Sequence, residues 1–443
     1  MAGEGWQQTK VDDMIRRGVL ALNDGYRVRN VELGPVGIPF VRGGDIGDGG
    51  INTAVKDHIR PEFTDRVQSK LTRPFDVAFI TKGTVGRVGM VRPGQPPSVF
   101  APQVCYWRSL APDQLEPRFL FYLLTSAEFQ ANLDAVKTHG SMAADYVSMT
   151  DQRDFRLTFP PIREQKAIAA VLGALDDKIE LNRRMNATLE AMARALFQSW
   201  FVDFDPVRAK LDGRPPAALD PATAALFPEH LEDSQLGHIP KGWTAQRLPD
   251  AIEVNPRRTL KSGTIAPYLD MKNLPTQGHS AEEVNDREFS SGTKFRNGDT
   301  LLARITPCLE NGKTGYVDFL EAGQVGWGST EYIVLAPKPP MPPQFGYLLA
   351  RSDALRTHAI QNMTGTSGRQ RVPSECFNTF WLALPPPAIT RRFDELTAPL
   401  MAKIKANSTE SRTLATLRDT LLPKLLSGEL SVANAPKHSP AGL

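Results

Sequence analysis

The sequence predicts a mixed α/β fold in which two similar globular domains are separated by two long antiparallel coiled-coil helices. Three observations support this prediction. The chain repeats itself at a fixed offset of 225 residues. Each copy contains short strand-like segments, and each is followed by a long segment with heptad periodicity. We therefore expect an internal pseudo-twofold repeat.

The repeat extends without a gap from Phe121 to Phe197 in the first copy. Matched positions include Tyr122 with Tyr347, Pro160 with Pro385, Asn182 with Asn407, and Leu189 with Leu414. Solenoid repeats are only a few tens of residues long, so this period indicates duplication of a whole domain together with its helix. Such a monomer can present two similar surfaces to two halves of one target.

Bulk composition gives weaker constraints. A chain of 443 residues has room for two to four domains, and 52 Lys and Arg residues nearly balance 49 Asp and Glu residues. This balance neither indicates nor excludes nucleic acid as a partner. The three cysteines have neither disulfide nor metal-site spacing, which favours a reducing cytoplasm. No apolar run approaches the eighteen or so residues of a membrane span, so we expect a cytoplasmic protein with no membrane partner.

The first globular domain is expected at residues 1–159 and the second at 239–384. In the first, Val77–Ile80 is an apolar run and 87–91 alternates, as strands do, while one amphipathic helix is expected around 119–133. In the second, 298–304 and 332–335 have the same strand-like character. Consecutive prolines close each domain.

A long helix is predicted after each proline break, at 160–202 and at 385–430. Heptad positions carry residues that we expect to pair the two helices: Ile168, Leu172, Leu175, Ile179, Asn182, Leu189 and Leu196 in the first, and Phe393, Leu400, Ile404, Asn407, Leu414 and Leu421 in the second. From Ile168 to Trp200 the first helix would be roughly 50 Å long. One turn of B-DNA is about 34 Å, so this length suits two half-sites on a duplex better than a small-molecule cleft.

Asparagines lie at equivalent places in the two heptad patterns. A buried asparagine weakens a coiled coil but fixes its register, so we expect Asn182 and Asn407 near the crossing of the paired helices. The alternative is that each helix packs only on its own domain and exposes its asparagine. Pro399 predicts either a kink in the second helix or a helix start near Ala398. Residues 203–238, rich in Pro, Ala and Asp, are interpreted as a linker, and 431–443 as a disordered tail.

These segments together resemble the specificity (S) subunit family of type I restriction-modification systems, over nearly the whole chain. The segment LTFPPIREQKAI at 157–168 is similar to the family signature that leads into its first long helix. The segments GDTLLARITPCLENGK at 298–313 and GSTEY at 328–332 resemble one type of target recognition domain, and DVAFITKGTVGRVG at 76–89 resembles another. The GEL triplet at 428–430 resembles the family's C-terminal close. The second proline signature departs from the pattern, because it lacks the Glu164–Gln165 pair of the first.

The resemblance implies a fold with two target recognition domains and a function in reading DNA. Each domain would read one half of a bipartite, asymmetric double-stranded DNA site, and the paired helices would set the spacer. The same helices would dock two methyltransferase (M) subunits, which hold S-adenosylmethionine, and restriction (R) subunits would be optional further partners. The chain itself would hold no cofactor and no metal.

The sequence also favours a non-catalytic role on its own terms. It lacks the Asn/Asp-Pro-Pro-Tyr tetrapeptide of adenine methyltransferases and a Gly-x-Gly-x-x-Gly helix start. The 311–314 segment looks like the end of a phosphate-binding loop, but Pro307 stands where that loop needs glycine. Two other functions stay open: a self-contained methyltransferase or nuclease, and a tandem-repeat scaffold or recognition subunit of an assembly without restriction activity.

Candidate DNA-contacting residues are polar side chains in glycine-containing loops, where Arg, Lys, Asn and Gln can reach bases and Ser or Thr can reach phosphates. They are Lys82, Thr84, Arg87 and Ser141 in the first copy, and Arg304, Thr306, Asn311, Lys313, Thr366, Ser367, Arg369, Gln370 and Arg371 in the second. For each, the alternative is a solvated loop residue. Asp76 and Asp299 precede strands in both copies and are interpreted as turn residues.

Overall fold

A computed structural model describes residues 5–47, 49–137, 145–281, 283–366 and 368–432. The chain divides into two units. Unit 1 comprises Met1–Lys178 and Thr413–Leu443, and unit 2 comprises Ile179–Arg412. Each long helix begins in one unit and ends in the other, because the unit boundaries fall inside both helices.

Unit 1 is built on short strands, short helices and the start of the first long helix. In chain order its elements are β1 (Gln7–Lys10), α1 (Val11–Arg16), β2 (Leu20–Asp24), β3 (Leu33–Gly34), β4 (Ile38–Val41), β5 (Ile46–Gly47), β6 (Gly50–Ile51), β7 (His58–Ile59), α2 (Thr64–Val67), β8 (Val77–Ile80), β9 (Val88–Met90), β10 (Val99–Phe100), β11 (Val104–Ser109), α3 (Pro117–Thr125), α4 (Ala127–Val136), α5 (Met149–Asp154), β12 (Arg156–Phe159) and α6 (Ile162–Phe201).

Unit 2 contains the remainder of α6 and a similar series of elements. They are α7 (Asp205–Leu211), α8 (Pro221–Ala225), β13 (Leu231–Ser234), β14 (Gly237–Pro240), β15 (Thr244–Arg247), α9 (Leu248–Ala251), β16 (Ile252–Val254), β17 (Ile265–Leu269), β18 (Asn285–Glu288), β19 (Thr293–Phe295), β20 (Thr300–Ala303), β21 (Thr314–Tyr316), β22 (Gly326–Gly328), β23 (Tyr332–Pro337), α10 (Pro343–Ala350), α11 (Asp353–Gln361), β24 (Trp381–Leu384) and α12 (Pro387–Leu426).

Each unit has its own central sheet, and the two central sheets have the same topology. The strand order is β2-β11-β8-β9 in unit 1 and β16-β23-β20-β21 in unit 2, with every neighbour antiparallel. A second four-stranded sheet in each unit contains one parallel pair, β10 with β4 and β17 with β22. The apolar runs predicted as strands at 77–80 and 332–335 form β8 and part of β23, so the mixed α/β fold with an internal repeat is confirmed.

The repeat is closest in its second half. A shift of 225 residues carries β12 onto β24 and α6 onto α12, residue for residue. Each of these helices is 40 residues long. The central sheets upstream match in strand order but not at a constant offset, and the second sheets differ in the position of their parallel pair, which lies at the edge in unit 1 and in the middle in unit 2. Insertions, deletions and rearrangements are therefore confined to the domains.

The long helices pair antiparallel, as predicted. In unit 2, Asn182 Nδ2 donates to the Asn407 carbonyl (3.3 Å) and to Glu410 (2.8 Å), and Asn407 Nδ2 donates to Asn186 Oδ1 (2.9 Å). Asn182 and Asn407 are 0% and 1% exposed, so the alternative with exposed asparagines is wrong. In unit 1, Leu425 of α12 lies in the same apolar core as Ile168 and Leu172 of α6.

The other residues predicted to pair the helices lie on buried or half-buried helix faces. In unit 2, Leu189, Leu196 and Leu400 pack against a core that contains Phe393 and Ile404, and Ile179 is half-buried. In unit 1, Leu421 packs against the core, and Leu175 and Leu414 are half-buried. Each helix therefore packs both on its partner helix and on a domain.

One local expectation was wrong, and one of the two alternatives for the second long helix is excluded. The helix expected at 119–133 is two helices, because Ser126 ends α3 and accepts a hydrogen bond from Phe129 N–H as the N-cap of α4 (3.2 Å). The second long helix does not start near Ala398. It begins at Pro387, where the missing N–H costs nothing, and continues through Pro399.

The segment interpreted as a linker is also structured. Residues 203–238 contain α7, α8 and the β13–β14 pairing, and Val207 and Phe227 are buried in the core of unit 2. Asp220 N-caps α8 and also pairs with Arg392 of α12 (3.1 Å). Of the tail, residues 433–443 lie outside the described residues.

The departure between the two proline signatures has a structural account. Gln165, 3% exposed, accepts from Glu116 N–H (3.0 Å), and Glu164 accepts from Val432 N–H (3.3 Å). At the matching positions of α12, Ile389 is buried in the core and Thr390 bonds the first turn of its own helix. In unit 2, apolar packing by Ile389 thus replaces one of these contacts, and a hydrogen bond within α12 replaces the other.

Candidate nucleic-acid interface

In unit 1, the hairpin loop between β8 and β9 is joined to the segment around Tyr146. Gly83 N–H donates to the Asp145 carbonyl (3.0 Å), and Val147 N–H donates to the Thr81 carbonyl (2.9 Å). These bonds place Lys82 opposite Tyr146 in an antiparallel bridge. The side chains of both residues are exposed, and the backbone that carries them is held at both ends.

In unit 2, the loop after β20 is joined in the same way to the segment around Arg371. Thr306 N–H donates to the Gln370 carbonyl (3.0 Å), and Val372 N–H donates to the Arg304 carbonyl (2.9 Å). Ile305 therefore lies opposite Arg371 in an antiparallel bridge. The structure thus brings together four predicted residues: Arg304, Thr306, Gln370 and Arg371.

The two loop pairs are equivalent. A shift of 225 residues carries Tyr146 onto Arg371 and Val147 onto Val372, and the bonds of the two valine N–H groups correspond. The same backbone frame therefore presents different side chains in the two units. A repeated frame with unlike exposed residues suits two recognition surfaces of different specificity.

Arg371 is the best-oriented cation of this surface. It forms a bidentate pair with Glu331, in which Nη2 donates to Oε1 (2.7 Å) and Nε donates to Oε2 (3.0 Å). The carboxylate raises the pKa of the Arg371 guanidinium above its usual value, and the side chain is 46% exposed. Glu331 holds one edge of the planar fork, and Nη1 on the other edge donates to the Arg369 carbonyl (3.4 Å), so the loop itself orients Arg371 at the exposed surface.

The turn that leads to Arg371 is short and closed by backbone bonds. Thr364 and Arg371 exchange both of their backbone hydrogen bonds (2.9 and 2.8 Å). Gly365 and Gly368 have φ of +117° and +77°, which only glycine adopts readily. Thr366 and Arg369 are exposed on this turn, whereas Ser367 lies outside the described residues.

Most of the remaining candidate residues lie away from these two loop pairs. Lys313 Nζ donates to the carbonyls of Met271 (2.7 Å) and Lys272 (2.9 Å), so it ties a domain loop to β21. Asn311 is exposed and lines a groove of about 1000 Å³ beside α6. Arg87 donates to the Ile46 carbonyl (3.2 Å). Thr84 is exposed in the β8–β9 loop, and Ser141 lies outside the described residues.

Buried ion pairs hold the strand that precedes each loop. Asp76, 0% exposed, accepts from Arg73 N–H (2.7 Å) and from two nitrogens of Arg108 (2.6 Å each). Asp299 accepts from Arg296 N–H (2.8 Å) and from Arg258 (2.9 Å), and burial raises its carboxyl pKa. Both aspartates have the expected turn role and, in addition, anchor an arginine beneath β8 and β20.

The sequence of this chain is similar to those of several known proteins. Residues 4–191 match the family model described as the type I restriction modification DNA specificity domain. The HindI specificity subunit of Haemophilus influenzae is 25% identical over 360 residues, which cover 71% of this chain and 77% of that protein. The MjaIX specificity subunit of Methanocaldococcus jannaschii is 26% identical, covering 74% of this chain and 72% of that protein. Residues 4–191 are thus a type I DNA specificity domain, and the chain over most of its length is similar to type I specificity subunits.

A solved structure shows the same fold. The S subunit of a type I restriction-modification system from M. genitalium aligns with a TM-score of 0.53 at 16% identity, covering 95% of this chain and 96% of that one. The relatives named above are specificity subunits of type I restriction enzymes, in agreement with the prediction that this chain is not itself an enzyme. Within the described ranges, no group of three or more His, Cys, Asp or Glu side chains could hold a metal ion. No helix in the same ranges is both long and apolar enough to span a membrane.

Sequence reasoning missed Tyr146 as a candidate residue of this specificity subunit. Its side chain is 47% exposed, and it stands where unit 2 has Arg371. A tyrosine hydroxyl can bond a phosphate, and its ring can pack on sugar or base. The sequence contains a signal for it, because the 225-residue offset matches Tyr146 with Arg371, a candidate DNA-contacting residue.

Proposed function

We propose that this specificity subunit recognises a split site in double-stranded DNA for a type I restriction-modification complex. The target recognition domain of unit 1 reads one half-site and that of unit 2 reads the other, while α6 and α12 set the spacer between them. The observation that carries the proposal is the duplicated backbone frame, which pairs Lys82 with Tyr146 in one unit and Ile305 with Arg371 in the other.

The partners of the proposed complex are two methyltransferase subunits, with restriction subunits as an optional addition. Support for two equivalent docking positions comes from Met192 on α6 and Leu417 on α12, which the 225-residue shift superposes. They are 50% and 45% exposed, although both are apolar. A partner that contacts one of them can contact the other in the same manner. S-adenosylmethionine would be bound by these methyltransferase subunits and not by this chain.

The direct test is to co-express this chain with the methyltransferase subunit of its own system and to map methylated adenines by long-read sequencing. We expect a split motif, with two short defined halves around a fixed undefined gap. An intact purified complex that adds no methylation would contradict the proposal.

A pair of arginine variants tests the interface itself. Arg371→Ala should weaken binding by about 1–3 kcal/mol and relax one half-site only, because a bidentate base contact is worth that amount. Arg392→Ala is the matched control, since Arg392 near the start of α12 is likewise held by carboxylates, those of Asp220 and Glu395. Equal methylation profiles for the two variants would remove Arg371 from the interface. Tyr146→Ala should affect the other half-site.

A further inference from the structure

Two buried tyrosines attach the recognition domains to the same long helix. Tyr122 on α3 and Tyr347 on α10 are separated by the repeat offset and are 1% and 0% exposed. The Tyr122 hydroxyl donates to Asp176 Oδ2 (2.7 Å) within unit 1, and the Tyr347 hydroxyl donates to Glu190 Oε1 (2.6 Å) within unit 2. Both carboxylates belong to α6 and are 7% and 8% exposed.

The sequence repeat alone would not place both acceptors on α6, because it would match an acceptor on α6 in one unit with an acceptor on α12 in the other. The positions of α12 that match Asp176 and Glu190 are Met401 and Ala415, neither of which can accept a hydrogen bond from a tyrosine through an oxygen. The repeat therefore preserves the tyrosine but not its acceptor. Burial raises the pKa of both phenols far above the usual value, so each remains a donor at any physiological pH.

Each contact is the centre of a wider polar network. Asp176 also accepts from Arg418 of α12 (2.7 Å), so the first domain and both helices meet at one carboxylate. In unit 2, Arg351 Nε donates to the Tyr347 hydroxyl (3.2 Å), and its remaining N–H groups donate to four backbone carbonyls of the domain, those of Thr276, Gly278, Gly312 and Thr314.

Apolar packing alone would leave the orientation of a domain on its helix poorly defined, because it has no preferred direction. Hydrogen bonds to charged groups are short and directional. The second domain keeps other polar contacts to α12, from Gln344 to Asp394 (2.8 Å) and Thr397 (2.9 Å), and between the hydroxyls of Ser280 and Ser408 (3.0 Å). Loss of the Tyr347–Glu190 bond would therefore let the domain tilt without releasing it.

We propose that Tyr122–Asp176 and Tyr347–Glu190 are positioning contacts that fix the angle of each recognition domain on the helices, and thereby limit the spacer lengths that the protein accepts. This inference rests on the proposed function. It assigns spacing tolerance to the joints between domains and helices, in addition to the helix length. None of the four residues has to touch DNA.

Tyr347→Phe tests the inference, since it removes one oxygen and keeps the ring in the core. We expect the variant, co-expressed with the methyltransferase subunit, to methylate sites whose spacer differs by one base pair, with discrimination against them reduced about tenfold or more. The half-site sequences should stay unchanged. Glu190→Gln should retain much of the wild-type profile, because its amide oxygen can still accept from Tyr347.

Tyr332→Phe is the matched control. Tyr332 is 2% exposed, and its hydroxyl donates to the Leu269 carbonyl (3.3 Å) inside the second domain, away from the long helices. The control should lose similar thermal stability and keep its spacer profile. Should Tyr347→Phe fail to fold, Glu190→Ala removes the same bond from the α6 side and is scored in the same way.

An unchanged spacer profile in the soluble variant, or equal broadening in Tyr332→Phe, would overturn this inference and leave the proposed function standing. A wild-type complex that methylates no split site would overturn the proposed function, and this inference with it.

Discussion

Lengthening both long helices at the boundary between the units tests whether they act as a ruler. We would insert heptads between Lys178 and Ile179 in α6 and between Arg412 and Thr413 in α12. The inserts carry apolar residues at the two pairing positions of the heptad, so the paired face of each helix continues across them.

These insertion points preserve the contacts described above. Asp176–Arg418 stays within unit 1, and Asn182–Asn407 and Tyr347–Glu190 stay within unit 2. Insertion at matching positions of the sequence repeat, rather than at facing positions of the antiparallel pair, would instead slide the asparagines past each other.

The structure sets the expected magnitude. One heptad adds about 10 Å of helix, which equals about 3 base pairs at 3.4 Å each. Three base pairs turn the duplex by about a third of a turn, so the second half-site would face away and methylation should fall sharply. Three heptads add about 31 Å, or about 9 base pairs, which brings the duplex most of the way round. We therefore expect methylation to recover, at sites whose spacer is about 9 base pairs longer.

Methylation mapping in cells provides the assay, with the same residues inserted after Gly213 as a control. Gly213 lies in the exposed connection between α7 and α8, so that insert should leave the recognised site unchanged. Altered half-sites in the helix-insertion proteins, or an unaltered spacer with three heptads, would refute the ruler.

Two further predictions concern buried groups. Burial raises the pKa of Cys376 from 9.0 to about 11, so at pH 8 the folded protein should be alkylated at half-buried Cys308 well before Cys376. The stability that the Cys376 thiol contributes should be lost as pH rises from about 9 to 11. Equal rates of labelling of the two cysteines, measured by mass spectrometry, would contradict this prediction. Asp76→Asn should lower the free energy of unfolding by about 3–5 kcal/mol in urea titrations, because it leaves the partly buried Arg108 without its carboxylate. The control Asp177→Asn breaks a more exposed pair and should lower it by less than about 1 kcal/mol. Similar losses in the two variants would show that burial does not set the cost.

Much of the fold was predictable because its signals are local or periodic. The heptad pattern that includes Asn182 and Asn407 predicted both the pairing and its antiparallel sense. Strand β8 was predicted from four consecutive apolar residues, since a strand buried on both faces needs no polar side. The break at Ser126 was missed because an N-cap inside an apolar segment looks like a polar position on one continuous helix.

The site was less accessible from sequence because its partners are distant along the chain. Lys82 and Tyr146 are brought together by backbone bonds, and no pattern of side chains announces such a bridge. The acceptor of Tyr347 lies 157 residues away, on a helix whose counterpart lacks it. Residues 203–238 looked like a linker because their prolines and alanines hide two short helices and a few buried aromatic and aliphatic side chains.

The constant offset of α6 and α12, against the variable offset of the sheets, has a genetic consequence. Recombination between the two halves of such a gene, or between related genes, can replace the coding region of a whole recognition domain with one of different length. If the crossover junctions fall at the proline pairs before α6 and α12, the heptad register of both helices is unchanged. New DNA specificities can then arise in a single exchange, without a period in which the helical frame has to be repaired.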